Sequence, residues 1–202
     1  MKTAVIFDCE FLAIEGSQRR FWCGPFDPDP VAVQIGAVRI GLTEGYPLGE
    51  TLSVLIRPAD RHGRPVQIDP FFTDLTGITG ADLETRGVGL AEALATLDRF
   101  AQGARLFSWG KDEFHLIAIS CYVAGIDPPI PATRFGNACD LALAAGMPYA
   151  AIEQTRSNRL PAYFDLETPS LRAHDATDDA RAVAIAMRHL LMTGALSPDL
   201  LV

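Results

Sequence analysis

The sequence predicts an α/β domain built on a mixed sheet. Three observations lead there. A β-branched run near the N-terminus reads as a buried strand, and two further strand-like segments flank a stretch of turn residues. Beyond them, helical periodicity alternates with short strands and closes in one amphipathic helix. With 202 residues, 49% hydrophobic and 21% charged, the chain suits a single domain over residues 1–202 with a sizeable core, and excludes a disordered or fibrous protein.

In chain order, Thr3–Cys9 is the first strand, buried on both faces. Val31–Ile40 and Thr51–Arg57 are the next two, joined as an antiparallel hairpin through Gly41–Gly49. Leu90–Phe100 carries apolar residues at a helical period, and Arg105–Trp109 reads as a short fourth strand. Asp112–Ala124 is helical, with Leu116, Ile119 and Val123 on one face and Gly125 as its stop. Ala138–Leu141 reads as a short fifth strand running into a helix. Thr177 is placed as the N-cap of the last helix, which shows Val183, Met187 and Leu190 as a stripe and ends at Gly194. Two long connections, Ala13–Pro30 and Arg156–Pro169, are expected to be functional or mobile.

No segment reads as a targeting peptide or a membrane span. Cys9, Cys23, Cys121 and Cys139 form no metal-type spacing, so reduced thiols and a cytoplasmic location are expected, with Cys9 and Cys121 in the core. The net charge of −8 argues against a protein that coats long nucleic acid through a basic face. It leaves room for an acidic pocket that works on nucleic acid through bound cations.

That pocket has candidates. Asp8 and Glu10 lie two apart on a strand and so share a face, while Cys9 takes the other. Two carboxylates on a hydrophobic strand repel each other and are costly to desolvate, and a divalent cation removes both problems. A strand that has already ended, with both groups solvated, explains the spacing as well. Asp179 is in line with Val183, Met187 and Leu190, hence inward; Asp178 is expected to face solvent. His174 sits just before the helix, where a loop can aim it at the site. Asp112 opens a helix and by itself reads as an ordinary first-turn acid.

Taken together, these segments resemble one family. Phe7-Asp8-Cys9-Glu10-Phe11, Asp112-Glu113-Phe114-His115-Leu116 and Ala173-His174-Asp175-Ala176-Thr177-Asp178-Asp179-Ala180 are similar in order and spacing to the motifs of the DEDDh 3′→5′ exonucleases, of the DnaQ-like, RNase-H-like superfamily. Leu75-Thr76-Gly77-Ile78-Thr79 resembles a further segment of that family. Trp109-Gly110 looks like the exoribonuclease subgroup that trims RNA 3′ ends, while Leu12 departs from the threonine usual in proofreading members.

The resemblance implies an RNase-H-like mixed five-stranded sheet flanked by helices. It implies hydrolysis of single-stranded or frayed 3′ ends to 5′-mononucleotides, with RNA favoured over DNA. It also implies two ions, Mg²⁺ or Mn²⁺, about 4 Å apart. Asp8 would bridge them, Glu10 and Asp179 would complete the first site, Asp112 would order the second, and neutral His174 would take the proton from water. Substrate contacts are expected from Leu12, Leu75, Thr76, Thr79 and Trp109, and from Arg19, Arg20 and Trp22, whose charge and aromatics interleave as in single-strand binders. Arg57, Arg61, His62 and Arg64 form a second basic cluster, for which surface solubility is an equal explanation. His115 and His189 read as surface residues and Asp140 as a helix cap. Other readings are a DNA repair or proofreading-type exonuclease and a catalytically silent nucleic-acid-binding module. No protein partner is read from the sequence, and a homodimer is left open.

Overall fold

The computed structural model describes residues 2–202. Five strands form one sheet in the order β3-β2-β1-β4-β5. They are β1 (Thr3–Phe11), β2 (Ala32–Gly41), β3 (Leu48–Leu55), β4 (Leu106–Ser108) and β5 (Phe135–Asn137). The first three are antiparallel neighbours, whereas β4 and β5 join parallel to β1 and to each other. The hairpin and the mixed sheet are therefore as expected.

Strand alternation sorts the core into two layers. Val5, Phe7 and Cys9 point to one face, where they meet α3 (Leu90–Ala101) and α4 (Asp112–Ala124) through Leu94, Leu97, Ile117 and Cys121. Ala4 and Ile6 point to the other, where Val183, Met187 and Leu190 of α8 (Ala176–Met192) cover them. Asp8 and Glu10 continue that second face, so the strand delivers both carboxylates beneath the N-terminal turn of α8. A smaller cluster around Phe72, Ile78 and Leu83 seats α1 (Pro70–Thr76) and α2 (Gly80–Arg86) against the start of β2.

One close approach fixes where α8 begins. Gly36 lies opposite Asp8 in the β1–β2 register, and a Cβ there would fall 2.1 Å from the Thr177 backbone nitrogen. The missing side chain lets the helix terminus rest directly on the sheet beside Asp8.

Several elements differ from the sequence expectation. The fifth strand is Phe135–Asn137, and Ala138–Ala144 is helix α5 instead. The reason is Asn137, whose side chain accepts the Cys139 N–H and starts the helix there. α8 is capped by Asp175, which accepts from Thr177 N and Asp178 N, and not by Thr177. The stretch Arg156–Pro169 contains a helix, α7 (Leu160–Tyr163), whose Leu160 is fully buried in the α8-side core. α6 (Tyr149–Gln154) precedes it. Cys9 and Cys121 are buried as expected, and all four cysteines are free. Among the described residues no helix is long and apolar enough to cross a membrane.

Candidate active site

Three separate elements meet where β1 ends. Glu10, His174 and Asp179 each bring one ligand atom within 4.8 Å of the others. Asp8 lies buried beneath them, 8% exposed, and Asp179 is equally enclosed at 6%. A carboxylate so placed loses water and gains like-charged neighbours, and both effects favour its proton. Asp8 is accordingly pushed well above the carboxylate range by burial and by Glu113, Glu10, Asp179 and Asp175. Burial, with Asp179 next, lifts Glu10 to about 8, and burial lifts Asp179 to about 6. Such a cluster is short of positive charge.

The loop before α8 is held for this purpose. His174 has φ of 61°, a left-handed conformation uncommon outside glycine. Its backbone N–H donates to Asp179 Oδ2 at 3.2 Å, which ties the histidine to the acid five residues on. Burial, and Arg156 after it, holds the imidazole pKa below its usual value, so the ring is neutral at pH 7. Beneath, Gln34 is 4% exposed and clamps the helix start. Its Oε1 accepts Ala176 N at 3.1 Å, and its Nε2 donates to Asp175 Oδ2 at 3.4 Å. Asp178 is only half-buried, but its Oδ2 accepts Arg172 N at 2.9 Å.

Over this group opens a cleft of about 420 Å³. Glu10, Asp112, Glu113, His174 and Arg156 line it, with Arg19 and Trp22 from the Ala13–Pro30 connection and Phe71, Phe72 and Leu75 at α1. All three acidic segments therefore face one space. Within the second, two neighbouring acids behave differently. Asp112 is exposed on the first turn of α4. Glu113 is the acid that acts on Asp8, its Oε2 is buried with no hydrogen-bond partner among the described residues, and burial raises its pKa to about 7. Asp112, the acid named from the sequence, and Glu113 both line the cleft, and Glu113 is the one enclosed with Asp8.

Of the expected substrate contacts, Arg19, Trp22 and Leu75 line the cleft and the rest do not. Leu12 is 2% exposed and sits in the core around Phe72. Thr76 is 2% exposed, its hydroxyl donating to Phe72 O at 2.8 Å. Thr79 caps α2 in a reciprocal pair with Asp82. Trp109 donates its indole N–H to Thr155 O at 2.8 Å, which anchors the segment carrying Arg156. Arg20 is held by Asp27, Nε to Oδ2 at 3.2 Å, and the Trp22 indole donates to Leu12 O at 2.8 Å. These two shape the connection from within. In the second basic cluster Arg61 pairs with Asp29, Arg64 with Asp60, and Arg57 donates to Gly87 O. Sequence reasoning missed Arg156 and Arg172. The Arg172 guanidinium lies over Gly77, where a Cβ would come within 2.1 Å, and it lowers the Glu10 pKa. Neither arginine, nor Arg19, has an acid within salt-bridge reach among the described residues.

No protein-family model matches the chain, and no curated protein matches it. Solved structures do. The nuclease domain of 3′hExo, described as a DEDDh family member bound to rAMP, superposes with a TM-score of 0.77 at 18% identity, covering 97% of this chain and 95% of that one. A 3′-exonuclease solved for specific recognition of the histone mRNA stem-loop gives 0.76 at 16% identity, covering 96% and 84%. The zinc-bound complex of E. coli ExoI with single-stranded DNA gives 0.62 at 19% identity, covering 96% of this chain and 41% of that longer one. The fold is thus the α/β, RNase-H-like fold of the DEDDh 3′ exonucleases, as the three motifs implied.

Proposed function

We propose that this protein is a metal-dependent 3′→5′ exonuclease that releases 5′-mononucleotides from single-stranded or frayed 3′ ends, with RNA favoured. The observation that carries the reading is the convergence of Asp8, Glu10, Asp179, Glu113 and His174 beneath one open cleft, on a fold shared with 3′ exonucleases.

The residues present fit divalent cations. Buried carboxylates that repel one another, one with an unpartnered buried oxygen, make an oxygen-rich donor set suited to Mg²⁺ or Mn²⁺. Asp8, Glu10 and Asp179 would hold one ion. Asp8 and Glu113 would hold a second, Glu113 taking the part the sequence reading gave to Asp112. Bound there, the ions neutralise charge on the attacked phosphate and lower the pKa of water.

The chain itself supplies the rest. Neutral His174 accepts a proton from the attacking water, and its tie to Asp179 fixes where the imidazole stands. Arg19, Arg156 and Arg172 offer unpaired charge to the phosphates on either side. With the arginines of the 57–64 segment bound internally and a net charge of −8, the footprint is short.

The RNA preference draws support from Trp109-Gly110 and from the ribonucleotide and the mRNA stem-loop named for two of the structural neighbours. Matched RNA and DNA oligonucleotides labelled at the 5′ end test it. Stepwise shortening that is faster on RNA is expected, and equal or faster shortening of DNA overturns the preference.

A further inference from the structure

A second cavity, of about 540 Å³, shares no lining residue with the acid cleft. It opens at the sheet edge formed by β5 and is walled by β5, α5 and the start of α4. One wall is Arg105 laid over Phe107, guanidinium carbon 4.8 Å from the ring centroid. Gly136 makes that stack possible, since a Cβ there would fall 2.4 Å from Phe107 and 3.1 Å from Arg105. The other wall is aromatic. Phe114 and Phe135 stand 5.3 Å apart, and His115 continues the row 5.6 Å from Phe114. Lys111 lies one helical turn before His115, on the same side of α4.

The charge of this hollow differs from that of the chain. Arg105 and Lys111 face a single acid, Asp140, and neither has an acid within salt-bridge reach among the described residues. The volume lies within the ~300–1,000 Å³ range of small-molecule sites. Ring faces beside unpaired cations match one ligand chemistry, a planar base joined to a phosphate. A simple anion leaves the rings uncovered, and an apolar ligand leaves two cations unpaired.

We propose that this cavity binds a nucleotide unit, separately from the acid cleft and without a divalent cation. Lys111 and Arg105 hold the phosphate, and the base lies against Phe114 and His115. The ligand is either a free mononucleotide or one residue of a nucleic-acid strand. The inference stands whether or not the acid cleft hydrolyses nucleic acid.

Calorimetric titration of the whole protein with 5′-AMP in EDTA tests it. One site is expected, weakened at least tenfold in Lys111→Glu, kept in Lys111→Arg and unchanged in Glu10→Gln. Arg105→Gln, which retains a stem over Phe107, is expected to weaken it in the same direction. No binding in EDTA, equal affinity in Lys111→Glu, loss in Glu10→Gln, or inorganic phosphate binding as tightly as 5′-AMP would each overturn the proposal. A phosphorothioate-linked oligonucleotide then identifies the source. Competition with 5′-AMP that Lys111→Glu abolishes assigns the site to a strand, and its absence assigns it to the free nucleotide.

Discussion

Removing divalent cations should make the protein less stable as pH rises, and the acid group sets the size of the effect. Glu10 holds its proton to about pH 8 when folded, against 4.5 for an ordinary glutamate, and Asp8 is raised as well. A carboxyl whose folded pKa is raised contributes stability that is complete below the unfolded pKa and is lost as pH climbs through the folded one. Between the two pKa values the native state carries one more proton than the unfolded state, so each such group costs about 1.4 kcal/mol per pH unit. From pH 6.5 to 8.0, Glu10 alone therefore costs about 2 kcal/mol, or ~4–8 °C in Tm for a chain of this length. The lowered His174 pKa works the other way, because an unfolded imidazole still sheds protons between pH 6.5 and 7.5, and it offsets at most about 0.4 kcal/mol of this loss.

The assay is scanning calorimetry at pH 6.5, 7.0, 7.5 and 8.0, with EDTA and with saturating Mn²⁺. In EDTA the Tm falls across the series; with Mn²⁺ the fall is largely abolished, and the gain from metal is greatest at pH 8.0. Glu10→Gln in EDTA melts higher than wild type at pH 8.0 and gains less from Mn²⁺. A Tm in EDTA that is flat or rising over this range would exclude a protonated, metal-free Glu10, as would a Glu10→Gln variant less stable than wild type at pH 8.0.

Three further outcomes follow from the geometry. Glu113→Gln should slow oligonucleotide cleavage at least ~100-fold, about 3 kcal/mol of lost transition-state stabilisation, whereas Asp112→Asn should stay within about threefold; initial rates at saturating Mn²⁺ compare them. Gly36→Ala drives a Cβ into the Thr177 backbone and should cost at least ~2 kcal/mol, read as a Tm lowered by ~4 °C or more with weakened cleavage. Trp22→Phe removes the indole donor to Leu12 O and should loosen the 13–30 connection, seen as faster proteolytic nicking there while global stability falls by only about 1 kcal/mol.

Local rules carried the sequence reading where residues act within one element. Alternation along β1 placed Asp8 and Glu10 on one face, and the helical period of α8 turned Asp179 inward. The same rules stopped short where a long-range partner decides the outcome. Arg20 and Trp22 look free in the sequence, but Asp27 and Leu12 O claim them in the fold. Thr79 belongs to a capping box with Asp82 that short-range spacing does show, and the family segment drew the reading elsewhere. Asp112 and Glu113 differ by 100° of helix rotation, and only the docking of α4 on β1 encloses one and leaves the other exposed. α7 was invisible because four residues carry no period; the burial of Leu160 against α8 makes it a helix. Gln34 had a readable signal, a polar residue inside an apolar strand, and its clamp on the α8 terminus is the reason.

In the proposed function the buried acids work with divalent cations to take nucleotides from a 3′ end. The direct measurement follows a 3′-end-labelled single-stranded RNA incubated with purified protein and Mn²⁺, with the product separated and identified. Labelled 5′-mononucleotide is expected as the first product, abolished by EDTA and reduced at least ~1,000-fold by Asp179→Asn, about 4 kcal/mol of transition-state stabilisation. Release that continues in EDTA, release undiminished in Asp179→Asn, or no mononucleotide from wild type would contradict it.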